Sequence, residues 1–300
     1  MIEAAVLGRV GVDLYPNDLR TPLREVRTYT RFVGGFAGNA STGLARLGIR
    51  PAIVSRVGDD GHGEFVRNFL AGEGVDVRYL RVDPDWLTPP TFCEIWPPDN
   101  FPILFYRRPT APDWQLSPGD FDGEEIASAH VLFATGTGLA QSPSRETTLA
   151  ALRAHRGTSI LDLDWRPTLW DSPEAFRRLT QEAAEAADIV VGNEDEVTAA
   201  GGLEKLLELG PSSVIVKRGG EGATLFERGE RTDVPGVPVE VVNGLGAGDA
   251  FAAGLGYALI RGLGVLEGVR LGNAAGAVVA GQLACSEAMP TLEELQGVLV

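Results

Sequence analysis

Short apolar runs alternating with helical patterns constrain this chain more than any other feature. AAVLG opens the sequence, and PAIVSRVG, HVLFATG, SILDLD, ADIVVGN and SSVIVKRGG follow as runs suited to strands. Between them, GNASTGLARLG, GEFVRNFLAGEG, RETTLAALRAHRG and SPEAFRRLTQEAAEAAD read as helices, the first stopped by Gly48. Strands alternating with helices require right-handed crossovers, so the expected class is α/β: a mostly parallel sheet with helices on both faces. A chain of 300 residues, 44% of them hydrophobic, is long enough for one large domain and its core. No repeat, low-complexity stretch or linker divides it, and residues 1–300 are expected to form a single domain.

One region breaks the rhythm. PTFCEIWPPDNFPILFYRR, residues 90–108, gives two extended segments joined by Pro-Pro-Asp-Asn, which is turn chemistry and predicts a hairpin. The alternation of Phe101, Ile103 and Phe105 predicts one packed and one open face. The segment VRTYTRFVGG is expected to pair with this hairpin. Together, residues of about 12–33 and 88–108 would make a small β-sheet lid over the carboxyl ends of the parallel strands, where open α/β sheets bind ligands.

The net charge of −15 argues against nucleic acid or an anionic membrane as partner, since both attract basic surfaces. The two cysteines, Cys93 and Cys285, read as buried thiols of a reducing compartment, and the three histidines lack ligand-like spacing. The N-terminus has no basic region followed by a long apolar core, and no apolar run is long enough to span a bilayer. A cytoplasmic protein is expected.

The stretch VVNGLGAGDAFAAGLGYAL, residues 241–259, crowds Gly244, Gly246 and Gly248 before an acid. It reads as a glycine turn leading into a helix in which Phe251, Leu255 and Leu259 recur every four residues. A dinucleotide fingerprint, G-x-G-x-x-G, and a Walker loop are both missing from the chain. Two readings remain open on these residues alone. In one, the N–H groups of Gly246, Ala247 and Gly248 form an anion hole for a phosphoryl group, with Asp249 placed to take a proton from an attacking hydroxyl. In the other, the helix is merely capped and Asp249 complements its dipole.

GLGAGDAFAAG resembles the C-terminal signature of the ribokinase-like (PfkB) family of sugar kinases. RFVGGFAGNASTGLARLG is similar to that family's N-terminal Gly-Gly motif and VGNEDEV to its N-x-x-E motif. VIVKRGGEGATLF and GNAAGAVVA are similar to its nucleotide-binding segments, and the matches fall in the family's order along nearly the whole chain. The resemblance implies a ribokinase-like fold and an ATP-dependent carbohydrate kinase. It implies Asp249 as catalytic base and Gly246 to Gly248 as anion hole. Asn193 and Glu196 would organise Mg²⁺ and the ATP phosphates through water. Lys217, Gly219 and Gly222 would line the nucleotide site, with Asn273 near adenine or ribose. Asp13, Gly34, Gly35 and Asn39 would contact sugar hydroxyls. Without the resemblance, Asn193 and Glu196 read as a helix cap and an ordinary surface acid, and Asp13 could be a turn residue. One departure stands out. Asn243, Gly244 and Leu245 replace the family's Asp-Thr-Thr, whose aspartate helps to bind a monovalent cation, so potassium activation does not carry over. A homodimer or higher homo-oligomer through the lid is implied as well.

Two arginines bear on the acceptor. Arg107 ends the hairpin and Arg166 follows a strand in LDLDWRPTLW. A converging pair would grip a carboxylate with forked hydrogen bonds, whereas two surface arginines, one clamped by Asp162 or Asp164, explain the spacing equally well. D-x-D-W-R-P-x-L-W resembles a segment of keto-deoxy sugar-acid kinases, and FCEIWPPDNFPILFYRRPTAPDW is similar to the 5-dehydro-2-deoxygluconokinase branch. The resemblance therefore implies phosphorylation of the terminal hydroxyl of 5-dehydro-2-deoxy-D-gluconate, with Arg107 and Arg166 on its carboxylate. 2-Keto-3-deoxygluconate is the competing acceptor. Fructose and ribose, being neutral, would leave the arginines without a partner. From other classes, a non-catalytic sugar-acid binder conflicts with the intact Asp249 motif, and a dehydrogenase with the missing fingerprint.

Overall fold

The sorting of side chains along the strands builds the molecule. In the computed structural model, which describes residues 2–298, the chain runs β1 (Ala4–Leu7), β2 (Gly11–Pro16), β3 (Tyr29–Gly34), α1 (Phe36–Arg46), β4 (Pro51–Gly58), α2 (Gly61–Gly72), β5 (Leu80–Asp83), β6 (Pro90–Cys93) and β7 (Ile103–Phe105). It continues α3 (Gly123–Ala127), β8 (Val131–Thr135), α4 (Ser144–Ala154), β9 (Thr158–Asp162), α5 (Pro173–Ala184), β10 (Ile189–Asn193), α6 (Glu194–Ala199), α7 (Leu203–Glu208), β11 (Ser213–Lys217), β12 (Gly222–Glu227), β13 (Glu230–Pro235), α8 (Ala247–Ile260), α9 (Val265–Ala280) and α10 (Leu292–Val298). Residues 1, 299 and 300 of the expected domain lie outside the described residues.

The larger sheet has the order β13-β12-β11-β10-β9-β8-β1-β4-β5. Seven neighbouring strands, from β11 to β5, are parallel, and β12 and β13 form an antiparallel edge hairpin. Because successive residues of a strand face opposite ways, Ala4 and Val6 of β1 join one core and Ala5 and Leu7 the other. Val131 and Phe133 are likewise divided from Leu132 and Ala134. The first core packs against α1, α2, α8 and α9, the second against α4 to α7. The mostly parallel sheet with helices on both faces is therefore observed. Gly48, at φ +78°, stands just beyond α1 where its stop was expected.

The smaller sheet has the order β3-β2-β6-β7. The 90–108 hairpin is present as the antiparallel pair β6–β7, closed by a bridge between Trp96 and Asn100. Ile103 and Phe105 face the cavity described below, while Leu104 and Tyr106 are exposed. The expected partner differs in one respect. The 26–35 segment, as β3, pairs antiparallel with β2, and it is β2 that pairs, in parallel, with β6. The physical reason is topological: β2 leaves β1 after only three residues and occupies the middle of the sheet, with both its edges taken.

The chain passes from β1 outward to β4 and β5, then returns to β8 on the other side of β1. This reversal opens a crevice at the carboxyl ends of β1 and β8, the position at which open α/β sheets bind ligands.

Candidate active site

A cavity of about 580 Å³ lies over the ends of β9, β10 and β11, with residues of the small sheet in its wall. Its centre is the start of α8. Gly246 caps that helix in the left-handed conformation, φ +84°, and a Cβ there would stand 2.7 Å from Cβ of Cys285. Glycine is thus required twice, for backbone angle and for space. The N–H groups of Gly246, Gly248 and Asp249 have no acceptor among the described residues, as expected at a helix N-terminus. The Ala247 N–H differs from the expectation, being turned back towards the Gly244 carbonyl at 3.4 Å. Asp249's own amide stands free instead.

Asp249 lines the cavity, half-buried. Its carboxyl is pushed up to about 6, chiefly by burial and then by the neighbouring Asp164 and Asp162 carboxylates, while the hydrogen bond from Asn39 and the charge of Arg9 pull the other way. A carboxylate titrating there accepts a proton more readily than an ordinary aspartate and is still largely ionised at neutral pH.

On one side of Asp249 stands the group expected to meet the acceptor. Asn39, from α1, donates through Nδ2 to Asp249 Oδ2 at 2.7 Å, and its buried Oδ1 has no partner among the described residues. Asp13, from β2, accepts from the Tyr15 hydroxyl at 3.2 Å. Gly34 is the cross-strand neighbour that makes room for it, since a Cβ at this position would overlap the Asp13 carboxylate. Gly35, at φ +84°, admits the close approach of the Arg9 carbonyl. Asp13, Gly35 and Asn39 line the cavity, and Gly34 stands behind Asp13.

The other side holds the residues expected to meet the nucleotide. Asn193 caps α6 and shares a capping box with Glu196: Asn193 Oδ1 accepts the Glu196 N–H at 2.8 Å, and Glu196 Oε2 accepts the Asn193 N–H at 2.7 Å. Glu196 is nevertheless no ordinary surface acid. It is buried at the cavity wall, and burial raises its carboxyl against the pull of Lys217. Lys217 donates to Asp162 Oδ2 at 2.9 Å; burial opposes its charge, yet Asp162 and Glu196 hold the ammonium protonated above its ordinary range. Its Nζ lies close to Gly248, so a positive charge stands beside the start of α8, where the amides are free. Gly219 and Gly222 line the same end, as does Asn273, whose Nδ2 donates to the Pro235 carbonyl at 3.0 Å.

The expected arginine pair requires a correction. Arg166 lines the cavity with Nε 3.1 Å from Asp164 Oδ1. Arg107 does not. Its guanidinium is buried, paired with Asp113 and stacked 4.6 Å over the ring of Trp114. The turn after β7 carries it back to the body, where it pairs with the buried carboxylate of Asp113. Among the cavity residues not expected from the sequence as site residues are Arg9, Asp162 and Asp164. The acids were visible only as possible clamps for Arg166. Arg9 had one unused signal, its position directly after the first strand.

Asn243 lies buried beneath this site. Its Nδ2 donates to the Leu283 carbonyl at 2.7 Å, and its Oδ1 accepts the Leu245 N–H at 3.1 Å. The amide thereby ties the glycine turn to the segment after α9. Among the described residues, no group of three or more His, Cys, Asp or Glu could hold a metal ion, and no helix is long and apolar enough to cross a membrane.

A helix N-terminus beside a lysine and next to an aspartate of raised affinity for protons is an arrangement suited to phosphoryl transfer to a hydroxyl. Comparison with known proteins supplies the family: the model of the pfkB family carbohydrate kinases matches residues 1–292, and the chain belongs to that family. It is 34% identical to a 5-dehydro-2-deoxygluconokinase of Clostridium tetani, over 98% of this chain and 92% of that one. It is 33% identical to the protein of the same name from Geobacillus kaustophilus, again over 98% and 92%. Among solved structures, a fructokinase from Vibrio cholerae, bound to fructose, ADP and calcium, superposes with a TM-score of 0.89 at 26% identity, over 100% of this chain and 99% of that one.

Proposed function

We propose that this kinase transfers the γ-phosphoryl group of ATP to the terminal hydroxyl of 5-dehydro-2-deoxy-D-gluconate, giving ADP and the 6-phosphate. The name carried by its relatives supports the acceptor. The observation that carries the chemistry is the placing of Asp249 in the first turn of a helix whose N-terminal amides are free, with the Lys217 ammonium beside Gly248.

Asp249 takes the proton of the acceptor hydroxyl as its oxygen attacks phosphorus. The bond from phosphorus to the β–γ bridging oxygen breaks, and ADP leaves with that electron pair. The amides of Gly246, Gly248 and Asp249 take up the charge of the phosphoryl group in flight, and Lys217, drawn from Asp162, neutralises the leaving phosphates. Asn39 orients Asp249 through Nδ2 and offers Oδ1 to a sugar hydroxyl. Asp13 accepts from a second hydroxyl, and Gly219, Gly222 and Asn273 border the base and ribose. Mg²⁺ fits as a water-mediated ion: Glu196 and Asp162 are hard oxygen donors, and Glu196 spends only Oε2 on the Asn193 N–H. Glu196 and Asn193 would hold that ion's water shell, and the ion would neutralise the ATP phosphates. The small sheet serves as a lid that keeps water from the γ-phosphate, and its exposed face offers a surface for a homodimer. The chain reads as a single domain.

The test is a phosphorylation screen. The purified protein is given ATP and a panel of sugar acids and neutral sugars, and the phosphorylated carbon is assigned by NMR. 5-Dehydro-2-deoxy-D-gluconate is expected to give the highest kcat/KM, with phosphate on its terminal oxygen. Preference for 2-keto-3-deoxygluconate or for a neutral hexose would overturn the acceptor.

A further inference from the structure

We infer that Arg9, acting with Arg166 across the carboxylate of Asp164, is the residue that recognises the anionic end of the acceptor, and that Arg107 is not. The inference rests on the reading above that the acceptor is a sugar acid.

Arg9 follows β1 at the crevice where the strand order reverses, and it is buried in the cavity wall. Its guanidinium is held on three sides. Nε donates to the Thr137 hydroxyl at 3.1 Å, Nη2 donates to Asp164 Oδ2 at 3.1 Å, and Phe105 of the small sheet lies 5.4 Å from it, ring to carbon. Nη1 has no partner among the described residues. Arg166 approaches the same aspartate, with Nε 3.1 Å from Oδ1 as an ion pair, and its guanidinium makes no hydrogen bond among the described residues.

Asp164 is built to hold the pair apart. It adopts φ +38°, a conformation that a non-glycine residue takes only under constraint, and Thr137 donates a further hydrogen bond to it at 2.6 Å. Burial opposes its charge, but the two arginines hold the carboxyl well below the usual range, so it remains ionised. Two guanidiniums share that one carboxylate, so donors of both remain unspent, although Glu196, Asp249 and Asp162 also act on Arg166. In a cavity whose other charged side chains are acids and Lys217, a pair of guanidiniums with unspent forked donors is the group suited to an anion. A planar carboxylate matches that fork. Arg107 offers no such group to the cavity, because Asp113 already neutralises it.

The acid acceptor and its neutral primary amide separate this assignment from its rivals, each assayed for kcat/KM with wild type and variants. Wild type is expected to favour the acid. In Arg9→Lys, which keeps the charge and loses the fork, the acid-to-amide ratio falls by at least about tenfold while the KM for ATP holds. In Arg107→Lys the ratio stays as in wild type. Should Arg9→Lys fail to fold, Thr137→Val, nearly isosteric and loosening Arg9 without removing it, is expected to lower the ratio too. An unchanged ratio in the Arg9 and Thr137 variants overturns the inference, as does a fall confined to Arg107→Lys. Equal losses on acid and amide with a raised KM for ATP would assign Arg9 to the phosphates and overturn it as well. Wild type indifferent to acid or amide defeats the sugar-acid reading and this inference with it. Wild type that favours the acid, with variants that keep its ratio, defeats this inference alone.

Discussion

Asn39 Nδ2 donates to Asp249 Oδ2 over 2.7 Å, joining the first helix to the start of the eighth across 210 positions of sequence. The bond aims the carboxylate and occupies only one of its two oxygens. It also opposes the burial that raises the Asp249 carboxyl.

Replacing Asp249 by Asn removes the proton acceptor while keeping size and the bond to Asn39. Turnover is expected to fall by at least about a hundredfold, with ATP affinity unchanged by calorimetry. Near-normal turnover would show that the acceptor hydroxyl loses its proton elsewhere.

As the proposed base, Asp249 must be ionised to act, so kcat/KM is expected to rise with pH through a limb near 6. Asn39→Ala deletes an interaction that lowers this value, and the limb should move to higher pH. A limb unmoved in the variant would mean that another group sets it.

The same carboxyl has a stability consequence of definite sign. Its value of about 6 in the folded chain exceeds the ordinary 3.8, so the folded state binds the proton more tightly. Folding is therefore penalised progressively as pH rises from about 4 to 6 and fully above that. The penalty is at most on the order of 3 kcal/mol, at about 1.4 kcal/mol per pH unit between the two values. Asp249→Asn should melt above wild type at pH 8, and the gap should close towards pH 4. Parallel melting curves at both pH values would contradict the penalty.

Gly34→Ala places a methyl group on the Asp13 carboxylate. The acceptor KM should rise by at least about tenfold while the KM for ATP changes little, since Asp13 lies on the acceptor side of Asp249. Steady-state kinetics with each substrate varied in turn checks this.

Glu196→Gln keeps an acceptor for the Asn193 N–H and removes the charge. The Mg²⁺ concentration for half-maximal rate should rise severalfold, with the melting temperature held within a few degrees. Chelation of divalent ions should abolish turnover in both proteins. An unchanged Mg²⁺ dependence would leave Glu196 a capping residue only.

Much of this was legible in the chain. The parallel sheet, the 90–108 hairpin and the glycine turn before Asp249 each follow from contacts between near neighbours in sequence, because period-2 sorting, turn chemistry and helix capping are local. The glycines could be read as necessary but not the reasons: Gly34 yields to Asp13 and Gly246 to Cys285, and neither partner is near in sequence. Arg107 shows the limit most clearly. Its sequence neighbours suggested a free guanidinium, whereas Asp113 and Trp114, a turn further on, close over it.

The chain's own order of residues determined which segments become strands and helices, and that a glycine turn opens α8, since these depend on side-chain period and backbone angle alone. Only the tertiary structure decided which charges meet. Setting β1 between β4 and β8 brings Arg9 to Thr137 and Asp164, residues more than a hundred positions away. A buried charge takes whatever opposite charge the fold carries to it, and strand order, not sequence distance, determines that delivery.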